Sequence, residues 1–188
     1  STFGQTIKNI INIISEIDIS VCGAQVSTCL NYTKPTIYNV DKSFIKAKKI
    51  RHPIIEQIND NHKYIPNDIN LDNLLLFGLN SSGKSSLLRS IGCNVILAQI
   101  GFFVASSSFE FSPFKNLISK ISNNDDLYKG QSTFISEMNE LKNILENSDN
   151  RTLVLCDELT SGTETNSSVG IVCSTILSLL KLDCCFLF

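Results

Sequence analysis

The residues from Gly78 to Ser86 carry the clearest chemical signature in the chain. Gly78 to Ser85 read Gly-Leu-Asn-Ser-Ser-Gly-Lys-Ser, which fits the phosphate-loop pattern G-x-x-x-x-G-K-[ST]. The glycines let backbone N–H groups approach phosphate oxygens, and the helix that follows favours an anion at its N-terminus. We predict that Lys84 binds the β- and γ-phosphates of ATP and that the Ser85 hydroxyl binds Mg²⁺. The predicted nucleotide-binding residues of this loop are Gly78, Leu79, Asn80, Ser81, Ser82, Gly83, Lys84, Ser85 and Ser86.

A pair of acidic residues follows at a position that suits the second half of such a site. The mainly apolar run Thr-Leu-Val-Leu-Cys at 152–156 leads directly into Asp157 and Glu158. An apolar strand that ends in an acid is typical of a Walker B element, in which the acid holds Mg²⁺. We predict that Asp157 binds Mg²⁺, directly or through water. We also predict that Glu158 polarises the attacking water, so Glu158 and Lys84 are the predicted catalytic residues.

Two further polar segments lie near these motifs. Ser132 and Thr133 precede an apolar-periodic stretch, where either side chain suits the N-cap of a helix. The same helix N-terminus also suits an anion site that caps the γ-phosphate held by a second subunit. Residues 159–165 form a polar loop that suits either a sensor of nucleotide state or a plain strand-to-helix connection. Spacing alone leaves both pairs of interpretations open.

The predicted elements around these motifs alternate between strands and helices, which indicates an α/β fold with a mainly parallel sheet flanked by helices. Apolar residues at helical spacing predict a first helix over 7–21, and a second short helix is predicted over 24–30. Pro35 and its polar neighbours predict a linker over 33–43. The remaining predictions are a short strand or turn at 54–55, strands at 73–77, 109–111, 117–121, 152–157 and 184–188, and helices at 84–100, 132–145 and 167–180.

Composition sets limits on the class of protein. The 188 residues are 43% hydrophobic with a net charge of −2, which excludes a disordered tail and a basic module that clamps DNA. Seven cysteines without zinc spacing, together with the isolated His52 and His62, predict buried thiols in a reducing, intracellular compartment. No signal peptide is evident, and we expect no apolar run near the ~20 residues of a membrane helix. The apolar run at 184–188 leads us to expect a fragment that stops inside its domain.

Taken together, four segments resemble the MutS family of DNA mismatch-repair ATPases. Residues 51–56 resemble the family's R-H-P-hydrophobic-hydrophobic-E entry to the ATPase domain, and residues 78–80 resemble its G-P-N form of the phosphate loop. Residues 125–138 resemble D-D-L-x-x-G-x-S-T-F-x-x-E-M, which is the longest of the matches. Residues 157–163 fit D-E-x-x-x-G-T. The resemblance extends from about residue 31 to the end of the chain.

The resemblance implies a P-loop NTPase fold of the ABC-like kind, using ATP and Mg²⁺. Tyr64 is expected to stack on adenine beside Ile65, and Ser132 is expected to reach the ATP of the partner subunit. Residues 1–40 would be the end of a helical core or lever domain, and residues 41–188 a P-loop ATPase domain truncated at its C-terminus. The expected partners are a second subunit, as a homodimer or paralogous heterodimer with composite ATP sites, and mismatched or looped double-stranded DNA bound through domains outside this chain. ATP would control the dimer and switch the protein into a sliding clamp on DNA.

The sequence departs from the family pattern in two places. Ser81-Ser82 replace the usual Met-Gly, which keeps both required glycines of the loop. Residues 159–164 depart from the usual I-G-R-G-T-S and look closer to a divergent viral or organellar branch.

Three alternative functions remain at this point. The first is the head of an ABC or SMC-like DNA-maintenance ATPase, which would carry a signature nearer L-S-G-G than Gly130-Gln-Ser-Thr-Phe. The second is a P-loop phosphotransferase, which needs basic lid residues, whereas Arg89 and Arg151 are the only arginines after the loop. The third is a binding module with vestigial hydrolysis, against which the intact Lys84, Ser85 and Asp157 argue.

Overall fold

The structure is a computed structural model, and it describes residues 2–58, 64–79, 82–121, 133–157 and 165–188. Helices and strands alternate along most of the chain, as the sequence predicts. In chain order the elements are α1 (Thr2–Cys29), β1 (Thr36–Ile37), β2 (Ile45–Ile50), α2 (Ile55–Ile58), β3 (Asn67–Leu71), β4 (Asn73–Leu74), α3 (Lys84–Gln99), β5 (Ser108–Phe111), β6 (Asn116–Ile121), α4 (Thr133–Glu146), β7 (Thr152–Asp157), α5 (Thr165–Lys181) and β8 (Cys185–Leu187).

A fully parallel sheet of four strands, in the order β4-β8-β7-β6, forms one half of the fold. Its central strand β7 is buried on both faces, which explains the continuous apolar run from Leu153 to Cys156. Leu153 and Leu155 pack in one cluster with α3, whereas Val154 and Cys156 pack in another with α4 and α5. The sheet is therefore covered by helices on both faces, as in other α/β proteins.

A second sheet of four strands has the order β1-β5-β2-β3 and is mainly antiparallel. β2 pairs antiparallel with both β3 and β5, and only the short β1 pairs parallel with β5. The expectation of one mainly parallel sheet is therefore wrong for this half of the fold. β2 alternates between buried apolar residues and exposed lysines, because one face packs on α3 and the other faces water. Three of the six residues of β2 are lysines, so its sequence Ile-Lys-Ala-Lys-Lys-Ile does not clearly predict a strand.

The predicted elements close to the phosphate loop agree well with the structure. The helix expected over 84–100 is α3, and the strands expected over 109–111 and 117–121 are β5 and β6. The strand at 152–157 is β7, with the same bounds. The helices expected at 132–145 and 167–180 are α4 and α5, and the strand at 184–188 is β8. These segments share strong apolar periodicity or an unbroken apolar run.

Three weaker predictions need correction. Only Asn73–Leu74 of the strand expected over 73–77 is assigned as a strand, although the N–H of Leu76 still donates to the carbonyl of Phe188 at 2.6 Å. Ile54 lies in a turn, one of the two alternatives predicted for residues 54–55, but Ile55 opens the short helix α2. The linker predicted over 33–43 contains β1, which pairs with β5 and so belongs to the second sheet. Short polar strands depend on their partners for hydrogen bonds, so local patterns predict them poorly.

α1 is one continuous helix from Thr2 to Cys29, where two helices were predicted. Gly23 lies inside this continuous helix, at the point where the ring of Phe102 packs against it. A Cβ atom on Gly23 would lie 2.8 Å from Cε1 of Phe102, so this close approach requires glycine. The helix ends at Cys29, and Asn31, two residues further on, has a φ of 52°, the left-handed conformation common after helices.

The length of α1 corrects one expectation. The stretch Phe3–Cys29 is long and apolar enough to cross a membrane by length and composition, with a mean hydropathy of 1.3. The prediction that no apolar run approaches this length is therefore wrong. A buried core helix of a soluble protein and a signal sequence meet the same criteria, and α1 is exposed along its apolar stretch. Lys8, Glu16 and Asp18 interrupt its apolar residues.

The cysteines divide by the type of element that carries them. All seven are free thiols. The three on or beside the parallel sheet are buried, and burial raises their pKa values, as expected of small apolar side chains. Those on α1 and α5 are exposed, so the prediction of buried thiols is wrong for them. The buried ones are Cys156, Cys184 and Cys185, the exposed ones are Cys22, Cys29 and Cys173, and Cys93 lies between the two groups.

Candidate functional site

The phosphate-loop segment connects β4 to α3. Gly83 is the N-cap of α3 and has a φ of 96°, a left-handed conformation that glycine adopts without strain. At Gly78 an added Cβ atom would lie 2.8 Å from the Ser82 hydroxyl, so a side chain here would require the Ser82 side chain to rotate away. Of the two glycines of the pattern, Gly83 is therefore required by its backbone conformation, whereas Gly78 lies in close contact with a neighbouring side chain.

The side chain of Lys84 lies over this segment. Its Nζ atom donates hydrogen bonds to the carbonyl oxygens of Gly78, at 2.8 Å, and Leu79, at 3.1 Å. The ammonium group is therefore held at the mouth of the loop by the residues that the pattern assigns to phosphate binding. Ser85 and Ser86 are partly buried in the first turn of α3 behind it. A lysine in this position is suited to bind phosphate oxygens as a point charge.

Lys84 and Asp157 line the same pocket, which has a volume of about 210 Å³. Asp157 is the last residue of β7, and α3 packs against the face of the same sheet. The pocket therefore lies at the carboxyl edge of the parallel strands, where α/β proteins commonly bind ligands. Its lining residues are Leu76, Lys84, Leu88, Cys156, Asp157, Val172 and Phe188.

The residues around this pocket fit a magnesium nucleotide. Mg²⁺ prefers oxygen ligands and is commonly held by one or two protein side chains together with phosphates and water. The Asp157 carboxylate and the Ser85 hydroxyl are the oxygen donors that the sequence assigns to it. Within the described residues no group of three or more His, Cys, Asp or Glu side chains could hold a metal by itself.

Several predicted site residues lie outside the described residues. They are Asn80 and Ser81 of the loop, Ser132, and Glu158 with the polar segment that follows it. Their roles stay predictions.

Tyr64 and Ile65 occupy different environments. Burial raises the pKa of the Tyr64 hydroxyl above its ordinary value, and Ser90 of α3 and Glu56 lie near it. Tyr64 is therefore placed beside α3, the helix that begins at the phosphate loop. Ile65 is 79% exposed, and neither side chain lines the pocket of Lys84 and Asp157. The structure places Tyr64 near the loop helix without testing its predicted contact with adenine.

The segment Arg51–Glu56 has a structural role that its sequence does not reveal. His52 is 5% exposed, and its Nδ1 atom accepts hydrogen bonds from the backbone N–H groups of Ile54 and Ile55, both at 3.2 Å. Burial, and then the positive charge of Arg89, lower the pKa of His52. The neutral imidazole thus caps α2. Histidine is not a usual N-cap residue, so no local signal predicted this contact.

Asn94 is a buried polar residue that the sequence analysis also missed. It is 0% exposed on the inner face of α3. Its amide nitrogen donates to the carbonyl oxygens of Arg51, at 2.9 Å, and Ser90, at 2.7 Å, and its Oδ1 accepts from the N–H of Ala105 at 2.7 Å. The available signal was an asparagine at a core position between Ile91 and Val95, since such a residue must be hydrogen-bonded.

Comparisons with known proteins show the family to which the chain belongs. The family model for MutS domain V matches residues 74–188. A mitochondrial DNA mismatch repair protein mutS homolog of Sarcophyton glaucum is 39% identical over 191 residues, covering 98% of this chain and 20% of that protein. A putative DNA mismatch repair protein mutS homolog of Acanthamoeba polyphaga mimivirus is 34% identical over 223 residues, covering 97% and 20%.

A bacterial relative gives a similar match. DNA mismatch repair protein MutS of Bacillus cytotoxicus is 37% identical over 169 residues, covering 88% of this chain and 19% of that protein. The chain thus spans about a fifth of the length of the relatives that it matches. The matched region includes nearly all of α1 in the two longer alignments, because they cover 97–98% of the chain. The chain belongs to the MutS family, and residues 74–188 correspond to its domain V.

Proposed function

We propose that this chain is the ATP-binding and ATP-hydrolysing domain, with a P-loop NTPase fold, of a MutS-like protein that binds mismatched DNA. The observation that carries the proposal is the pocket shared by Lys84 and Asp157 at the carboxyl edge of the parallel sheet. Membership of the MutS family favours this function over an ABC or SMC-like head and over a phosphotransferase.

Four residues divide the chemistry between them, and one of these, Glu158, lies outside the described residues. Lys84 exchanges its hydrogen bonds to the Gly78 and Leu79 carbonyls for bonds to the β- and γ-phosphates. Its positive charge then stabilises the negative charge that develops on the leaving phosphate oxygen during hydrolysis. Ser85 and Asp157 would hold Mg²⁺, which would supply positive charge to offset the negative charge of the phosphates. Glu158, the next residue along the chain, polarises the attacking water. Catalysis in this scheme comes from positioning and electrostatics instead of covalent chemistry.

The adenine ring is held by Tyr64 beside Ile65. The phenol ring is half-buried against α3, which limits its rotamers and so lowers the entropy lost when a base stacks on it. Ile65 offers an exposed apolar side chain next to it.

The ATP site is completed by a second subunit, as a homodimer or a paralogous heterodimer, with Ser132 reaching the partner's ATP. Large apolar side chains beside the loop support this proposal: Phe77 is 90% exposed and Leu79 is 85% exposed. Side chains of this kind are typical of protein interfaces. The DNA surface lies in parts of the full protein outside this chain, in keeping with its net charge of −2. The protein acts inside the cell, as its seven free thiols suggest.

The first test is the affinity for Mg-ATP, measured by titration calorimetry. Lys84→Ala is expected to weaken binding by at least tenfold, because it removes the cation that binds the phosphates. Tyr64→Ala is expected to weaken binding about tenfold or more, since stacking of a base on an aromatic ring is worth ~1–3 kcal/mol.

Lys115→Ala serves as the matched control, because Lys115 is an exposed lysine that does not line the pocket. The affinity of this variant for Mg-ATP should equal that of the unchanged chain. Unchanged affinity in Lys84→Ala would contradict the phosphate site. Unchanged affinity in Tyr64→Ala alone would remove only the adenine contact.

A further inference from the structure

Arg51 connects the end of α1 to the body of the domain. Its Nη2 atom donates hydrogen bonds to the carbonyl oxygens of Leu30, at 2.9 Å, and Asn31, at 3.4 Å. These carbonyls lie just beyond the last turn of α1, where helical hydrogen bonds have ended and an outside donor is needed. The guanidinium therefore fixes the point at which α1 leaves the domain.

The guanidinium is itself held by Glu56. The Nε atom of Arg51 lies 2.7 Å from Oε2 of Glu56, and the two side chains are only 21% and 13% exposed. The Glu56 charge is compensated by Arg51 and by the neighbouring Tyr32 hydroxyl, and its other oxygen, Oε1, is buried. Tyr32 closes the cluster, with its ring 5.8 Å from the Arg51 guanidinium, and burial followed by the Glu56 charge raises its pKa to about 12. Ion pairs this enclosed respond strongly to the loss of one partner.

The backbone of Arg51 is fastened to the helix of the phosphate loop. Its carbonyl oxygen accepts the 2.9 Å hydrogen bond from Asn94 of α3, and its N–H donates to the carbonyl of Ala105 at 2.8 Å. Asn94 also receives the N–H of Ala105, which closes a small buried network. A displacement of α3 would therefore carry Arg51 with it.

α3 is the element that begins at the predicted nucleotide site. Lys84 is its first residue and is now bonded to the carbonyls of Gly78 and Leu79, bonds that phosphate binding must replace. Asn94 lies ten residues further along the same helix, about 15 Å away, and an α-helix moves over this distance as a rigid rod.

We infer that Arg51 is a positioning residue that transmits the state of the nucleotide site from α3 to α1, through its carbonyl on Asn94 and its guanidinium on the last carbonyls of α1. This role rests on the proposed function, because it requires a nucleotide at the loop that opens α3. Glu56 is the second member of the pair and holds the guanidinium in the orientation that reaches Leu30.

A competing connection runs through Phe102. Its ring packs against Gly23 of α1, and the segment that carries it follows directly on α3. Movement of α3 could reach α1 through this contact without Arg51, so the experiment must separate the two connections.

The test uses two native exposed thiols as labelling sites. Cys22 lies on α1 and Cys173 on α5, so spin labels at these positions report the orientation of α1 against the parallel-sheet side of the domain. Cys29→Ser and Cys93→Ser remove the other two accessible thiols. Pulsed electron paramagnetic resonance then measures the distance between the labels with and without Mg²⁺ and a non-hydrolysable ATP analogue. Calorimetry on the same samples measures binding of the analogue.

In the parent chain the mean distance should shift on the order of 2 Å, the scale of helix displacements in switching proteins. Arg51→Lys keeps the charge but cannot reach both Glu56 and Leu30, and Glu56→Gln keeps the shape but loses the charge. Both should lose the shift while the affinity for the analogue stays within about threefold of the parent. Thermal unfolding of each variant confirms that it is folded.

Arg151→Lys is the matched control. Arg151 also donates to a backbone carbonyl, that of Pro113 at 3.2 Å, but it has no contact with α1 among the bonds of the described residues. It should keep the full shift.

Three results overturn the inference while the proposed function stands: binding without any shift in the parent, a shift that persists in both Arg51→Lys and Glu56→Gln, or a shift lost only in Phe102→Ala. Absence of binding in the parent chain would be a failure of the proposed function itself, and the role of Arg51 would fall with it.

Discussion

Lys84 and Asp157 line the same pocket because each lies at the end of an element that reaches the carboxyl edge of the parallel sheet. Lys84 is the first residue of α3 and Asp157 is the last residue of β7. Each was predicted from a short local pattern, and the pocket that they share follows from the parallel pairing of the strands. His52 and Asn94 stand at the other extreme, since their hydrogen bonds depend on neighbours that no pattern identifies.

His52 makes stability depend on pH at the acid side of neutrality. Its folded-state pKa is lowered, first by burial and then by Arg89, so the unfolded chain binds the proton more tightly. The contribution of His52 is therefore fully present above its unfolded pKa, about 6.5, and is lost as the pH falls towards the lower folded value. Protonation of Nδ1 also removes the acceptor for the N–H groups of Ile54 and Ile55. Urea unfolding at pH 8, 7, 6 and 5 measures this loss.

His52→Asn separates this effect from general acid destabilisation. Asparagine offers an uncharged acceptor to the same N–H groups and does not titrate, so part of the pH dependence between 7 and 5 should disappear. An identical pH dependence in the two proteins would show that His52 does not titrate on unfolding.

At the scale of elements, α3 is the helix that packs against both sheets. Leu88, Ile91 and Val95 are 0–1% exposed and pack in the cluster that joins both sheets. Gly92 lets the helix approach β7 closely, because a Cβ atom there would lie 3.2 Å from Cδ1 of Leu155. One helix thus contacts the parallel sheet, the antiparallel sheet and the phosphate loop. This placement makes it the natural element through which the site and the rest of the domain affect each other.

Asn94→Ala is expected to lower the free energy of unfolding by roughly 2–4 kcal/mol. The substitution leaves the Arg51 carbonyl without its side-chain donor and the N–H of Ala105 without an acceptor, and each unsatisfied buried group costs ~1–3 kcal/mol. Chemical denaturation at neutral pH provides the measurement.

Ser90→Ala is the control for this prediction. Ser90 is also 0% exposed on α3, but its hydroxyl donates to the carbonyl of Leu87 within the same helix. We expect a change of less than about 1.5 kcal/mol, because no backbone group elsewhere loses a partner. Equal losses in the two variants would indicate that the bridge made by Asn94 contributes nothing beyond an ordinary hydrogen bond.

At the scale of the whole molecule, the chain is about a fifth of the length of its relatives, and its site is expected to need a second subunit. The exposed Phe77 and Leu79 beside the phosphate loop fit such an assembly. We therefore predict slow ATP hydrolysis by the isolated chain, with a rate per molecule that rises with protein concentration as dimers form. Phosphate release measured across a concentration series, together with sedimentation to give the oligomeric state, tests this prediction.

Lys84→Ala at each concentration gives the background from contaminating ATPases. Rapid turnover that is independent of concentration in a strictly monomeric sample would rule out the composite site. The assignment of ATP binding to Lys84 would survive that result.

The sequence by itself determined the phosphate loop, the acid at the end of β7 and the strongly periodic helices. These features are local: a glycine-rich turn, an apolar run and a helical repeat each depend on neighbours within a few residues. The resemblance built on them also identified the family, which the comparison over residues 74–188 confirmed. Their spacing was enough to predict Lys84 and Asp157 as parts of one site.

Only the tertiary structure decided the second sheet and the cluster around Arg51. β2 is a strand because it pairs with both β3 and β5, and β3 is a strand because it pairs with β2. The exposed lysines of β2 weaken the apolar pattern by which a strand is predicted from local sequence. Asn94 and Arg51 are 43 positions apart, so the hydrogen bond between them leaves no trace in either segment. Buried polar groups must be hydrogen-bonded, and when the partner is distant in sequence, tertiary packing determines which group it is.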